Sequence, residues 1–355
     1  MESKKIKINL ASFDLAKGIA IILVVISHTY GHYDWSQSGM HQVFTIVSCV
    51  FGTGILTAFF IVTGFGLKAK PPKAMLKKSF SDLIVPYLWI MAAYIVVFPL
   101  VRYPITGSWP VVLDQAARFG IAFLLGYARY GKVLFGVQIF WCTAAWFLLA
   151  TFIALNVLNL ILRLKNQVAQ VVCVVLCAVI GNLLFSVEFF YFCIPQGLRA
   201  VGYLYIGYLI KKYDLFWRLQ SNVWTYVVLL PFCLIEMKLG TLDNTVFLNV
   251  LLEYFGSAFS AIFFLLVCVY LGTFEWKGLD WIKRAGIYSY WIICLHSVEM
   301  DIIPWHLNAQ LFSQHPLLGF GIELFLKAAI IIIGCFILKK IAKERYKRRS
   351  IVNGR

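Results

Sequence analysis

Long apolar runs, separated by short segments rich in Lys and Arg, divide the chain from one end to the other. Each run is close to the ~20 residues that an α-helix needs to cross the hydrocarbon core of a bilayer. Their approximate bounds are 10–32, 44–67, 82–101, 136–162, 168–187, 189–210, 222–240, 247–272, 286–303 and 316–338. The pattern therefore predicts an all-α protein, a polytopic transmembrane bundle of about ten helices.

Composition indicates that lipid rather than water surrounds most of the chain. Hydrophobic residues make up 61% and charged residues 14% of the 355 residues, and the mean hydropathy is +0.82. Soluble domains carry roughly 25% charged residues, because their surface must be wetted. No Ser-, Pro- or Gly-rich linker interrupts the chain, so we expect a single membrane-embedded domain over 1–355, ending in a basic cytoplasmic tail, 339–355.

The positive charge follows the predicted spans. The chain has 32 Lys and Arg residues against 16 Asp and Glu, a formal charge of +16. With the N-terminus placed in the cytoplasm, basic residues fill every inner loop and the tail. The basic residues that fall in outer loops are Arg102, Arg118, Arg129, Lys132 and Lys238. Since Lys and Arg are retained on the cytoplasmic side, we expect both termini there. No nucleic-acid-binding motif accompanies the charge, so we expect no nucleic-acid partner.

Three ionisable residues, Asp14, Lys17 and His28, fall inside the first predicted span. At about 100° per residue, His28 lies within ~20° of the direction of Lys17, and within ~40° of that of Asp14 on the other side. Ionisable groups at membrane depth often mark functional sites, so we expect this stripe to face the protein interior or a wet cavity. Two other interpretations stay open: His28 as a hydrogen-bonded core histidine, and Asp14 with Lys17 as an ion pair that orients the helix.

Later spans carry further ionisable residues. His296 and Glu299 lie three residues apart, so they project from one face of the ninth span, as a structural or a catalytic pair. Because this span is predicted to run outward, both fall in its outer half, at a depth similar to that of His28. Two further ligands are not identifiable, so we predict no metal site. Arg199 lies in the sixth span, where it either binds an anion or pairs with a buried acid. Glu323 and Lys327 are an i,i+4 pair of opposite charge, which we interpret as structural.

The segment from Phe13 to His28 resembles the opening of the acyltransferase 3 family of membrane acyltransferases. That family has a basic residue, usually Arg, separated by ten residues from a histidine in the first span; here the basic residue is Lys17. Further segments resemble the family in the same order along the chain. They are 58–65 with Thr63-Gly64-Phe65, Lys77-Lys78 before Pro86-Tyr87, Trp146-Phe147, and 286–296 from Gly286 and Ser289 to His296. Thr63 replaces the usual Ser, and Asp82 falls where Arg is more usual.

The resemblance implies transfer of an acyl group, usually acetyl, from cytoplasmic acetyl-CoA or another acyl-CoA to a hydroxyl group. The acceptor would be a cell-surface glycan, a lipid-linked saccharide or a related molecule, and the enzyme would lie among the lipids of the plasma or inner membrane. The residues then expected in catalysis are His28, Asp14, His296 and Glu299. Those expected to bind the acyl donor are Lys17, Lys70, Lys77, Lys78 and Arg199.

The residues themselves suit this chemistry. A neutral histidine is poised to take a proton near pH 7, and it can also carry an acyl group covalently; both roles stay open for His28. The basic loop 68–78 suits the phosphates of CoA, although retention on the inner face explains its charge equally well.

Two other classes of protein remain as alternatives. A transporter or flippase for glycan or lipid would also bury ionisable residues along its route. A non-catalytic partner of a polysaccharide synthase would need no acyl donor. The ordered set of motifs favours the enzyme.

Overall fold

The structure is a computed structural model that describes residues 8–35, 54–239, 246–274 and 276–352. Its helices are α1 (Asp14–Tyr30), α2 (Gly54–Gly66), α3 (Pro72–Ser79), α4 (Val85–Thr106), α5 (Trp109–Leu124), α6 (Trp146–Ile161), α7 (Gln167–Ser186), α8 (Ile194–Lys212), α9 (Leu215–Ser221), α10 (Val223–Leu239), α11 (Phe247–Leu271), α12 (Lys277–Ile287), α13 (Ser289–Ile302), α14 (Trp305–Leu311) and α15 (Pro316–Val352). A π-helical turn, Phe80–Ile84, joins α3 to α4, and 3-10 turns cover Leu10–Phe13, Thr143–Ala145 and Tyr191–Cys193. A two-residue hairpin pairs β1 (Val133–Leu134) with β2 (Val137–Gln138).

The all-α membrane bundle predicted from the apolar runs is confirmed. Six helical stretches among the described residues are long and apolar enough to cross a bilayer: Leu10–Tyr30, Pro72–Thr106, Thr143–Ile161, Gln167–Ser186, Phe247–Leu271 and Pro316–Lys340. Each of the other predicted runs overlaps a helix, but α2 and α13 are short, and the part of the second run before Gly54 lies outside the described residues. The number of ten spans is therefore not confirmed.

The last long helix separates lipid-facing from protein-facing positions. On α15, Phe325, Ile332 and Phe336 are 74%, 67% and 71% exposed, whereas Glu323 and Lys327 on the same helix are fully buried. In water this arrangement would be unfavourable, because it exposes apolar side chains and buries charges. In a bilayer the exposed face meets hydrocarbon, so the polar face must turn inward.

Close approaches between helix backbones fix the position of α1. A Cβ atom added to Gly18 would collide with the main-chain oxygen of Ile282 on α12, and one added to Gly286 would collide with the main-chain oxygen of Asp14. Small residues at such crossings let two helix backbones touch in a membrane. Gly286, one of the motif residues, is therefore needed to hold the Asp14 end of α1 against α12.

A second close crossing places α2 in the centre of the bundle. Gly64 on α2 faces the main chain of Leu204 on α8, and Gly207 on α8 faces the main chain of Ile61. α2 also packs on α11, where Gly54 meets Ser260. Other side chains of α2 border two cavities, and Leu56 lines both of them.

α13 is the helix that meets most of the site. It packs on α1, α4, α15 and the 3-10 turn 143–145. The hydroxyl groups of Tyr94 on α4 and Thr143 both donate hydrogen bonds to the main-chain oxygen of Ser297, at 2.9 and 3.3 Å. These bonds hold the turn of α13 that carries His296.

Candidate functional site

Two histidines meet where α1 crosses α13. The ring centroids of His28 and His296 are 5.3 Å apart, and the ring of Trp141 lies 6.4 Å from that of His28. His28 is half-buried, whereas His296 is 0% exposed. The similar depth inferred from the sequence thus becomes direct proximity.

Glu299 orients the ring of His296. The Nδ1 atom of His296 lies 2.7 Å from the Oε1 atom of Glu299, one helical turn further along α13. Because a carboxylate only accepts hydrogen bonds, this contact places the imidazole proton on Nδ1 and leaves a lone pair on Nε2. Among the described residues Nε2 has no hydrogen-bond partner, so it is available to take a proton.

A buried charge cluster surrounds Glu299. The Nε1 atom of Trp305 donates a hydrogen bond to Oε2 of Glu299 at 2.6 Å, and Nζ of Lys327 lies 4.0 Å from the same oxygen. Lys327 also pairs with Glu323 at 3.0 Å, and Glu323 accepts hydrogen bonds from His32 and Tyr33 at 2.7 and 2.9 Å. The Lys327–Glu323 pair predicted from the sequence is thus present.

The cluster is built from opposite charges held close together. Glu299 and Glu323 are acidic, Lys327 is basic, and His32 lies against Glu323. Buried charges are costly unless they are paired, so these contacts hold the side chain of Glu299 in place beside His296.

A cavity of about 640 Å³ opens at the opposite, lysine-rich end of α1. Lys17, Lys68, Lys70 and Lys78 line it, and so does one acid, Asp82. Most of the remaining lining is apolar, with Leu56, Phe59, Phe147, Leu148 and Ile293 among its side chains. We call this space the lysine cavity.

The lysine cavity reaches towards the histidines. Val24 lines it and precedes His28 by four residues on α1, while Ile293 lines it and precedes His296 by three residues on α13. At 1.5 Å of rise per residue, these offsets correspond to about 5–6 Å along each helix. The lining residues Val24 and Ile293 therefore lie about one helical turn from the residues that carry the two rings.

Asp14 and Lys17 form an ion pair, with Nζ of Lys17 2.6 Å from Oδ1 of Asp14. This pairing was one of the interpretations left open by the sequence. Lys17 lines the lysine cavity, whereas Asp14 does not. The structure thus places Asp14 far from the histidines, on the same helix but beside α12.

The basic loop contributes unequally to the cavity. Lys70 is fastened by Asn159 on α6, which accepts a hydrogen bond from its main-chain N–H at 2.9 Å and donates one to its main-chain oxygen at 3.0 Å. Lys78 pairs with Asp82 at the rim. Lys77 is exposed and does not line the cavity.

Arg199 lies in a different place from the other residues expected to bind the donor. It lines a second cavity, of about 400 Å³, which shares Leu56 of α2 with the lysine cavity, and its Nη2 atom lies 3.2 Å from Oε2 of Glu253 on α11. Of the two interpretations from the sequence, the structure thus shows the pair with a buried acid. We call this space the arginine cavity.

Several residues of the site could not be identified from the sequence. Trp141, Asn159 and Glu253 each contact a candidate residue from a distant part of the chain, and Trp305 contacts Glu299 from the next helix. A weak signal existed for Asn159 and Glu253, since polar residues inside apolar runs need partners. The tryptophans gave none.

Comparison with known proteins agrees with this geometry. The family model described as an acyltransferase domain, that of the acyltransferase 3 family, matches residues 10–340. The match includes α1, the lysine cavity and the histidine pair. Neither the comparison with curated proteins nor that with solved structures gave a match.

Proposed function

Because the chain belongs to the acyltransferase 3 family of membrane acyltransferases, we propose that it transfers an acetyl or similar acyl group from acyl-CoA to a hydroxyl group of a glycan or lipid-linked saccharide. The observation that carries this proposal is the position of the histidine pair within one helical turn of the lysine cavity. The phosphates of acyl-CoA would then meet the lysines at the rim of this cavity, and its thioester would lie at the end nearer the histidines.

The lysine cavity suits acyl-CoA as the donor. Among the described residues, neither Lys68 nor Lys70 pairs with a carboxylate, so both can meet the phosphates of CoA. The apolar body of the cavity, with Phe59, Phe147 and Ile293, suits the pantetheine chain. Lys77 lies outside it and would contribute only at long range.

We assign to His28 the role of acyl carrier. An imidazole nitrogen of His28 attacks the thioester carbon, the carbon–sulfur bond breaks, and CoA leaves as a thiolate that takes a proton from water at the cavity rim. The acceptor hydroxyl then attacks the acylated ring. Its oxygen bonds to the acyl carbon while the carbon–nitrogen bond breaks, and His28 returns to its starting state.

His296 takes the proton of the attacking hydroxyl on Nε2. Glu299 holds the ring in the tautomer that this step requires, as a carboxylate does for the histidine of serine hydrolases. The proton then passes from Nε2 to water. The division into a carrier and a base accounts for two histidines at one place.

We propose further that the lysine cavity faces the cytoplasm and that both termini lie on that side of the plasma or inner membrane, because Lys and Arg are concentrated in the same loops. Charged acyl-CoA does not cross a bilayer. In sealed vesicles of opposite orientation, acyl-CoA labelled in its acyl group should therefore label saccharide material only when the cytoplasmic face is outside.

Three outcomes of this experiment would count against the proposal. Labelling only in vesicles of the other orientation would mean that the lysine cavity faces the opposite side of the membrane. An absence of labelling in both orientations would contradict the proposed acyl transfer. Movement of unmodified saccharide across the vesicle membrane without labelling would favour a transporter or flippase.

A further inference from the structure

The arginine cavity is built from polar side chains within an aromatic wall. It is lined by the C-terminal end of α7 and by the N-terminal halves of α8 and α11. Its polar lining includes Thr57, Arg129, Gln196, Arg199 and Glu253. Its aromatic lining consists of Phe60, Trp146, Phe185, Phe190 and Tyr203.

Two buried polar atoms in this cavity lack a partner among the described residues. Arg199 is only 8% exposed, and its Nε atom makes no hydrogen bond, although its guanidinium group pairs with Glu253 and lies 4.4 Å from the ring centroid of Phe185. Gln196, one helical turn earlier on α8, has an unpartnered Oε1 atom. Buried polar groups in native proteins are nearly always satisfied, so an unpartnered donor and acceptor side by side indicate a missing ligand.

The segment that carries Phe190 is held in an unfavourable conformation. Glu188, Phe192 and Cys193 have φ angles of +55°, +54° and +52°, in the left-handed region that non-glycine residues avoid. The main-chain N–H of Phe192 donates a hydrogen bond to the oxygen of Leu125 at 2.6 Å, which fixes the segment. Such strain persists at ligand sites because surrounding contacts enforce it.

The paired charges of the arginine cavity favour a neutral ligand over an anion. Arg199 is offset by Glu253, and Arg129 at the rim is offset by Glu188 at 2.6 Å. An anion would meet the carboxylate of Glu253 and two cations that are already paired, whereas a neutral ligand with many hydroxyl groups can donate to Glu253 and Gln196 and accept from Arg199. Flat aromatic faces suit the carbon-bound hydrogens of a sugar ring.

We propose that the arginine cavity binds one sugar ring of the acceptor saccharide. This inference rests on the proposed acyl transfer. Trp146 lines the cavity and Trp141 contacts His28, so the cavity and the histidine pair lie on either side of the segment between these tryptophans. Five residue steps span at most ~18 Å. An acceptor of more than one ring can therefore occupy the cavity and present another hydroxyl group at His28.

Two substitutions test the site without disturbing the histidine pair. Gln196→Ala removes an acceptor atom that the protein itself leaves unpartnered, so the thermal midpoint should stay the same. Glu253→Gln keeps the size of the side chain and removes its charge. Both should raise the KM for a detergent extract of membranes lacking this protein, used as acceptor, by about tenfold or more, since each lost contact to a hydroxyl costs about this factor.

The sign of the Glu253→Gln effect separates the ligand classes. Without Glu253 the positive charge of Arg199 is uncompensated, so an anionic acceptor would bind better and its KM would fall. A neutral sugar loses the charged acceptor, because Gln keeps only one neutral carbonyl oxygen and places an N–H donor where the second oxygen was, so the KM rises. Periodate, which opens sugar rings at vicinal diols, should also remove the acceptor capacity of the extract.

Matched controls and a second readout isolate this inference from the proposed function. Gln310→Ala and Asp114→Asn change exposed residues outside the cavity and should leave the KM unchanged. CoA release without acceptor should be the same in all four variants. A wild-type protein that releases no CoA contradicts the proposed function. Active Gln196→Ala and Glu253→Gln proteins with an unaltered or lowered acceptor KM overturn the sugar site alone. An extract that keeps its acceptor capacity after periodate treatment overturns both the sugar site and the saccharide acceptor, while acyl transfer itself stands.

Discussion

The two cavities share a wall but differ in how their charges are balanced. Leu56 on α2 lines both of them. In the lysine cavity, Lys68 and Lys70 have no carboxylate partner among the described residues, whereas in the arginine cavity each guanidinium group lies beside a carboxylate. Uncompensated ammonium groups favour a polyanion, and compensated pairs favour a neutral ligand with hydroxyl groups.

On the basis of this difference we propose that the lysine cavity takes the acyl donor and the arginine cavity takes the acceptor. The histidine pair lies one helical turn beyond the first and across the Trp141–Trp146 segment from the second. Each cavity can therefore be tested by a kinetic constant of its own, while the histidines should affect both substrates.

The largest effects are expected from the histidines. His28→Ala should reduce acyl transfer by at least ~10²-fold and abolish CoA release, because no carrier remains. His296→Ala should reduce transfer by a similar factor but still release one equivalent of CoA, since acylation of His28 does not need the second histidine. Acid-quenched protein should then retain labelled acyl groups.

Exposed histidines supply the control for this comparison. His306→Gln on α14 should leave both steps unchanged. An active, normally folded His28→Ala protein would contradict the carrier role. Failure of His296→Ala to accumulate label would instead assign His28 as the base in a direct transfer.

A smaller and more selective effect is expected at the rim of the lysine cavity. Lys68→Gln combined with Lys70→Gln should raise the KM for acyl-CoA about tenfold, with a smaller change in turnover, because the phosphates are bound equally in the ground and transition states. The difference in this KM between wild type and variant should become smaller at high salt, because salt screens the attraction between the lysines and the phosphates. Initial rates at several acyl-CoA and salt concentrations measure both quantities.

Lys77 provides a matched control, since it belongs to the same loop but does not line the cavity. Lys77→Gln should change the KM less than threefold. Equal effects of Lys77→Gln and the double variant on the KM would mean that these lysines act only through their general charge. The proposal that the lysine cavity itself binds the phosphates would then be wrong.

The parts of the site that follow from local spacing could be predicted from the sequence. The apolar runs predict the helical bundle, and the offset of three residues between His296 and Glu299 brings them together on any helix. From the sequence, His28 and His296 could be placed only at a similar depth in the membrane. Their contact depends on the crossing of α1 and α13, which no single helix specifies.

Longer-range partners could not be predicted, because they depend on how helices pack. Arg199 was grouped with the donor-binding lysines by its charge, yet its place on α8 puts it beyond α2, beside Glu253. Likewise, Trp305 and Lys327 reach Glu299 from other helices. A sequence pattern shows which residues need partners, but only the fold selects them.

The smallest effects are expected at Lys17, where binding and stability must be separated. Lys17→Arg should stay within about threefold of wild type, because the charge and the pair with Asp14 are kept. Lys17→Met should lower the thermal midpoint by leaving Asp14 unpaired. In the double variant with Asp14→Asn the midpoint should recover, while the KM for acyl-CoA stays raised. If the double variant has the wild-type KM for acyl-CoA, then Lys17 only orients α1, and the donor is bound by Lys68 and Lys70.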